Sequence, residues 1–325
     1  MSDGRLNLIA DIGGTNIRLA LTQSTGEISA IETYRCAEYE SLSDVLLAYL
    51  EKQQVEGKSL NACLAIACPV ENDEISMTNL PWKFSQSKLK RDLNLDGLFL
   101  INDYTAIAHA IPLLTDEQKV QIGEGAAIDN KPISVCGPGT GLGVANLVYA
   151  KDSWHCISGE GGHIDFAPVD QDEIQILSYL MNKKEHRISY EQLLSGKGLE
   201  QIYQALVAKD ELGYQDLSAE AISAKALDDS CPVCQQALSQ FCKTLGSFAG
   251  DLAMIMGSFG GVYIAGGIVP RFIDFLSGSD FRARFQAKGR LSSFIEDIPT
   301  YVITEPQPGL LGASAYLHQQ VKEEL

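Results

Sequence analysis

An α/β fold built from two similar halves is what the sequence predicts, and three observations predict it. Short apolar runs alternate with segments of helical periodicity, the pattern of sheets covered by helices. A strand, a glycine turn and a second strand occur together twice, ~125 residues apart, a longer period than solenoid repeats show. The third is Leu98-Phe99-Leu100-Ile101, a run suited to a strand buried on both faces, which stops at Asn102-Asp103 before helix-like composition from Thr105 to Ile111. A carboxylate at the end of a buried strand and beside a helix start is where open α/β sheets place their chemistry. Asn102 or Asp103 could equally cap the following helix, and taken alone the stretch fits that reading better.

In chain order, Leu6 to Ile12 reads as a strand and Ile17 to Thr22 as its hairpin partner, joined by Gly13-Gly14-Thr15-Asn16. Glycines allow the turn and bring backbone N–H groups close to a bound anion. Thr15 adds a hydroxyl donor, and Asp11 stands where it could sit near a metal held on the same phosphate. Ser41 to Leu50 suits a helix with Leu42, Val45, Leu46 and Tyr49 on one face. Asn61 to Pro69 is a buried strand, Ile75 to Trp82 a strand running into a loop, and Phe84 to Leu93 a helix leading to the Asp103 strand.

The second half repeats the plan. Ile133 to Cys136 is a strand entering Gly137-Pro138-Gly139-Thr140-Gly141-Leu142-Gly143, and Val144 to Tyr149 leaves it as another. Gly14-Thr15-Asn16 lines up with Gly139-Thr140-Gly141, so two phosphate loops on a duplicated unit could grip one nucleotide. Gly159-Glu160-Gly161-Gly162-His163 is a pliant loop with two groups able to bond hydroxyls, although a solvated turn would look the same. Glu173 to Lys183 is helical, and Ser189 to Leu199 starts a helix with a glycine stop that carries Glu191 in its first turn. A long helix from about Pro232 to Met256, with Ser230 as its cap, feeds a strand at Gly261 to Ala265. Gly266-Gly267 at that strand's end suits the close approach of a flat base and ribose. Phe281 to Phe294 reads as a helix, Tyr301 to Ile303 as a last strand, and a C-terminal helix opens at Gly309.

Other phosphate motifs fail. Neither Gly57-Lys58 nor Gly196-Lys197 has the upstream glycine of a P-loop. Neither glycine turn reads Gly-x-Gly-x-x-Gly, and each leads into a strand rather than a helix, against a dinucleotide-binding unit. Cys231-Pro232-Val233-Cys234 is a lone Cys-x-x-Cys; zinc would need two further ligands, only Cys242 is near, and the segment fits the start of the long helix.

The chain has 325 residues, 45% of them hydrophobic, enough for two domains. Its 42 acidic against 25 basic residues give a net charge of −17, which repels nucleic-acid phosphate and anionic membrane and excludes both as expected partners. Met1-Ser2-Asp3-Gly4 lacks the plan of a signal peptide, and no apolar run approaches the ~20 residues of a membrane helix. The eight cysteines are scattered and fit reduced thiols rather than a disulfide framework. A soluble, cytoplasmic protein is expected.

Together the stretches Asp11-Ile-Gly-Gly-Thr-Asn, Ile101-Asn-Asp-Tyr-Thr-Ala, Gly137-Pro-Gly-Thr-Gly-Leu-Gly, Gly159-Glu-Gly-Gly-His, Leu194-Ser-Gly-Lys-Gly-Leu and Ile264-Ala-Gly-Gly-Ile-Val-Pro-Arg resemble, in order and over nearly the full length, the bacterial ATP-dependent glucokinases of the hexokinase/actin-like superfamily. The chain is similar to the zinc-free group rather than the repressor–ORF–kinase group, because no cysteine follows His163 until Cys231. The resemblance implies an actin-like (ribonuclease H-like) ATPase fold with two α/β domains around a central cleft. The smaller would span 1–113, with a helix at about 310–325 packing back on it, and the larger 114–309.

The resemblance also implies roles. Asp103 would be the catalytic base for the sugar 6-hydroxyl, with Asn79, Asn102, Glu160, His163 and Glu191 on the other hydroxyls. Asp11 would hold Mg²⁺ through an intervening water. Gly13, Gly14, Thr15, Asn16, Gly139, Thr140 and Gly141 would contact ATP phosphates, and Gly266 and Gly267 the adenosine. Expected substrates are glucose and ATP, and the expected assembly is a homodimer. A kinase for fructose, mannose or an N-acetylhexosamine, and an actin-like ATP-binding protein without a sugar acceptor, are the alternatives.

Overall fold

The computed structural model describes residues 6–77, 80–184, 186–209, 213 and 216–323. Asn79 lies outside the described residues.

In chain order the strands and helices are β1 (Leu6–Ile12), β2 (Asn16–Gln23), β3 (Ile28–Arg35), α1 (Leu42–Lys52), β4 (Leu60–Ile66), β5 (Glu74–Ser76), β6 (Lys83–Ser85), α2 (Gln86–Asp92), β7 (Leu95–Asn102) and α3 (Asp103–Ala110). They continue with β8 (Lys119–Ile122), β9 (Ile133–Pro138), β10 (Leu142–Ala150), β11 (Ser153–Gly159), α4 (Gln171–Lys184), α5 (Gly196–Lys209), α6 (Ala219–Leu227) and α7 (Pro232–Met256). The last are β12 (Val262–Ile264), α8 (Ile273–Gly278), α9 (Phe281–Gln286), α10 (Ser292–Ile295), β13 (Thr300–Ile303) and α11 (Pro308–Glu323). By packing, one unit comprises 1–114, 150–158 and 305–325, and the other 115–149 and 159–304.

The first unit is organised on a five-stranded sheet in the order β3-β2-β1-β4-β7. Every residue of β4 is buried and all but Asn61 are apolar, as suits a strand covered on both faces. On one face Leu8, Leu19 and Leu64 pack with Val45, Leu46 and Tyr49 of α1. Each such buried side chain contributes about 2 kcal/mol of transfer free energy. Ser41 caps α1, its hydroxyl accepting from the Asp44 N–H at 3.3 Å. On the other face Ile9, Cys63 and Ile101 meet Leu310, Ala313 and Leu317 of α11.

The second unit has a six-stranded sheet in the order β11-β10-β9-β12-β13-β8. Its core gathers Val262, Ile264 and Val302 from the strands with Phe241, Leu245 and Phe248 of α7. That helix runs 25 residues from Pro232 at its first position and stops at Gly257, whose left-handed backbone ends it.

Four local expectations change. The glycines after Ser195 open α5 instead of stopping a helix, because the buried Ser195 hydroxyl accepts the Gly198 N–H at 3.0 Å and acts as a start signal. Residues 189–193 form only a short 3-10 turn around Glu191. Phe281 to Phe294 is interrupted between α9 and α10, where Gly289 takes φ 56°. Cys231, not Ser230, precedes α7, and the Ser230 N–H is occupied by the Asp228 carboxylate at 2.9 Å. None of the eight cysteines is in a disulfide, and no described helix is long and apolar enough to cross a membrane.

Candidate active site

In the first unit the strand register brings three sequence-predicted residues to one end of the sheet. Asp11 on β1 pairs with Ala65 on β4, and Ala65 with Ile101 on β7, so Asp11 and Asn102 lie within one residue of the same level on parallel strands that flank β4. The carboxyl ends of parallel strands are where such sheets bind ligands. The capping ambiguity resolves here: Asn102 is the N-cap of α3, its Oδ1 accepting the Tyr104 N–H at 2.9 Å. Asp103 is therefore the first helical residue, and its carboxylate is not the cap.

Two carboxylates then sit in one electrostatic environment. Burial, followed by the charge of Asp11, pushes the Asp103 carboxyl up to about 6, against the backbone N–H groups and the Asn102 side chain that favour its charged form. Burial also raises Asp11, opposed by Arg18, whose Nη1 donates to Asp11 Oδ2 at 3.1 Å. Arg18 carried no role in the sequence reading. Its signal was the hairpin itself, because counting outward from the turn sets Ile12 against Ile17 and Asp11 against Arg18. Gly309, at the start of α11, was likewise missed: a Cβ there would lie 2.8 Å from the Asp11 carboxyl carbon.

The turn beyond Asp11 is held from within. The Gly13 N–H donates to Asn16 O at 3.0 Å, and the Thr15 carbonyl accepts the Cys36 N–H at 2.9 Å. Gly13 thus uses its N–H inside the turn, while the Thr15 side is exposed.

In the second unit the corresponding turn is one residue shorter and is likewise held by its own backbone, with the Gly139 N–H donating to Gly141 O at 2.8 Å, while the Gly196 N–H donates to Gly139 O at 2.9 Å. Glu191 touches this turn directly. Its Oε2 accepts the Leu142 N–H at 3.0 Å and lies 3.8 Å from His163 Nε2. A Cβ on Gly141 would stand 2.6 Å from the same oxygen, so only glycine permits this approach. The loop carrying Glu160 and His163 is fixed beside Glu191 by the Tyr190 N–H donating to Ile164 O at 3.0 Å and by Arg187 Nη1 donating to His163 O at 2.7 Å. Glu160 and His163 are exposed and Glu191 half-buried, so all three remain open to a ligand.

Gly266 completes this set. The Ala265 N–H donates to Cys136 O at 2.8 Å, bringing the end of β12 against the glycine turn. Gly266 has φ 86°, and a Cβ on it would lie 2.5 Å from the Pro138 carbonyl oxygen. Gly267 faces open space. Among the described residues no group of three His, Cys, Asp or Glu is placed to hold a metal.

Known proteins share this frame. The family model for glucokinase matches residues 8–320. Glucokinase of Colwellia psychrerythraea is 62% identical over 319 residues, covering 97% of this chain and 96% of its own. Glucokinase of Yersinia pestis is 50% identical, covering 98% of each chain. The crystal structure of a glucokinase from an Antarctic psychrotroph is 38% identical, with a TM-score of 0.88 and coverage of 97% of this chain and 99% of that one. Fold and sequence together define an ATP-dependent hexose kinase of the actin-like ATPase fold. The chain belongs to the glucokinase family.

Proposed function

We propose that this enzyme transfers the γ-phosphoryl group of ATP to the 6-hydroxyl of D-glucose, with Asp103 as the base. The observation that carries the assignment is the Asp103 carboxyl, released from capping by Asn102 and raised to about 6. A base with a pKa just below neutrality is ionised at working pH yet still draws a proton effectively. As the sugar oxygen bonds to phosphorus and ADP leaves, the hydroxyl proton passes to Asp103.

Asn102, Glu160, His163 and Glu191 hold the remaining hydroxyls, since carboxylates and imidazole are good partners for sugar O–H groups. The turns at 13–16 and 139–141 hold phosphates, chiefly through Gly14, Thr15, Thr140 and Gly141, because Gly13 and Gly139 spend their N–H groups within the turns. Gly266 and Gly267 take the adenosine.

Asp11 fits Mg²⁺ held through water, as one carboxylate plus substrate phosphates is the usual arrangement for that ion. The mutual repulsion that raises Asp103 also marks a place short of positive charge. When bound, the ion would neutralise charge on the phosphates. The proposal extends to domains at 1–113 with 310–325 and at 114–309, to a homodimer, and to a cytoplasmic role in glycolysis.

A coupled ADP-release assay with glucose, fructose, mannose, N-acetylglucosamine or no sugar tests this reading. Glucose should stimulate most, and no stimulation by any sugar would overturn it. Asp103→Ala should lose about 10²-fold or more in kcat while sugar binding, followed by calorimetry, is largely kept. Near wild-type turnover would remove Asp103 as the base.

A further inference from the structure

The hexose kinase chemistry leaves Cys231 and Cys234 unused. They lie three residues apart on the first turn of α7, the spacing at which Cys-x-x-Cys dithiols close. Cys231 is part-exposed and stands at the N-cap, while Cys234 is fully buried behind it. From this geometry we infer that Cys231 and Cys234 form a redox-active dithiol that closes to a reversible intramolecular disulfide on contact with a low-molecular-weight disulfide.

The chemical environments of the two sulfurs divide their roles. Burial pushes the Cys231 thiol up, but a hydrogen bond from the Cys234 thiol, the N–H groups of Cys234 and Val233, and the Lys225 charge together bring it below the ordinary thiol value. Burial and the neighbouring Cys231 push Cys234 up to about 12. Asp228 also faces Cys234 and opposes its ionisation. The accessible sulfur is thus the better nucleophile, and the buried one is available to resolve what it forms. Cys156, the other part-exposed cysteine, lies on β11, and no cysteine stands three residues from it in the sequence.

The reaction balances as two exchanges. The Cys231 thiolate attacks one sulfur of the added disulfide, whose S–S bond breaks and releases one thiolate. Cys234 loses its proton to solvent and attacks the Cys231 sulfur, breaking the mixed disulfide and releasing the second thiolate. Two protein thiols are oxidised by two electrons, and the small disulfide is reduced to two thiols.

The test uses the reduced full-length protein with excess oxidised glutathione, quenched in acid and weighed intact. The wild type should lose the mass of two hydrogens and regain it with dithiothreitol. Cys234→Ser should instead stop with one glutathione retained on residue 231, and Cys231→Ser should do neither at this site. A wild type that keeps glutathione on Cys231, or that shows no change, overturns the inference. So does loss of two hydrogens by both variants. On the unmutated protein, iodoacetamide should alkylate Cys231 faster than the other cysteines, and faster labelling of Cys156 would count equally against it.

Discussion

Replacing Asp103 by Asn should make the protein more stable while removing its activity. The carboxyl is held at about 6 against an ordinary value of 3.8, so the folded state binds its proton more tightly than the unfolded chain does. At 1.36 kcal/mol per pH unit this opposes folding by up to about 3 kcal/mol at neutral pH. Asp103 is half-buried, and solvent access brings the expected effect to about 1–2 kcal/mol. The sign follows from the direction of the shift. Below pH 3.8 the group is protonated in both states and costs nothing; the cost grows between pH 3.8 and about 6 and is constant above. Asn retains a carbonyl oxygen for the neighbouring N–H groups, so the amide removes the charge without removing an acceptor. Urea titrations of both proteins at pH 4 and pH 7.5 measure the difference. The variant should gain about 1–2 kcal/mol at pH 7.5 and much less at pH 4, with turnover reduced on the order of 10²-fold or more. An equal or lower stability at pH 7.5, or a gain independent of pH, would refute an unfavourable ionised Asp103.

The same group should set the acid limb of catalysis: kcat/KM for glucose should fall tenfold per pH unit below about 6, and a flat profile down to pH 5 would contradict Asp103 as base. Gly266→Ala should cost about 1–2 kcal/mol for its left-handed backbone alone, and more from the Pro138 contact, with a raised KM for ATP. Gly267→Ala, in open space, should be nearly silent in stability. Glu191→Ala should raise the KM for glucose on the order of tenfold or more, from about 1.5–3 kcal/mol per charge-assisted hydrogen bond. Glu191→Gln keeps an acceptor for the Leu142 N–H and should therefore lose less.

Much of the frame was legible because burial writes itself into composition. The apolar runs at Leu6–Ile12 and Ile133–Cys136 could hardly be anything but interior strands, and their glycine turns gave the hairpins. The strands overlooked are β3, β6, β8 and β11, and of their residues only Ile122 is buried, so no apolar pattern marked them. The Arg18 pairing was available from hairpin register alone. Gly309 was not, because its contact with Asp11 joins opposite ends of the chain and leaves no local signal. Asp103 shows the limit most clearly: composition allowed either residue to cap the helix, and only the Asn102 Oδ1 contact separates capping from chemistry.

The two units share a strand plan but not their acids. In the first, β1 is antiparallel to β2 and parallel to β4, which is parallel to β7. In the second, β9 is antiparallel to β10 and parallel to β12, which is parallel to β13. Aligning Gly14 with Gly139 places Cys136 where the first unit has Asp11. Cys136 is fully buried, and burial alone pushes its thiol up to about 12. An aspartate there would face the same desolvation without the arginine that Asp11 finds directly across its hairpin, since Cys136 pairs with Val144. The frame common to both units can supply a phosphate turn twice, but at this strand position a carboxylate is offset by a cation only in the first unit. Asp11 and Arg18 therefore belong together, and the acid at this strand position occurs in one unit and not at its counterpart, Cys136.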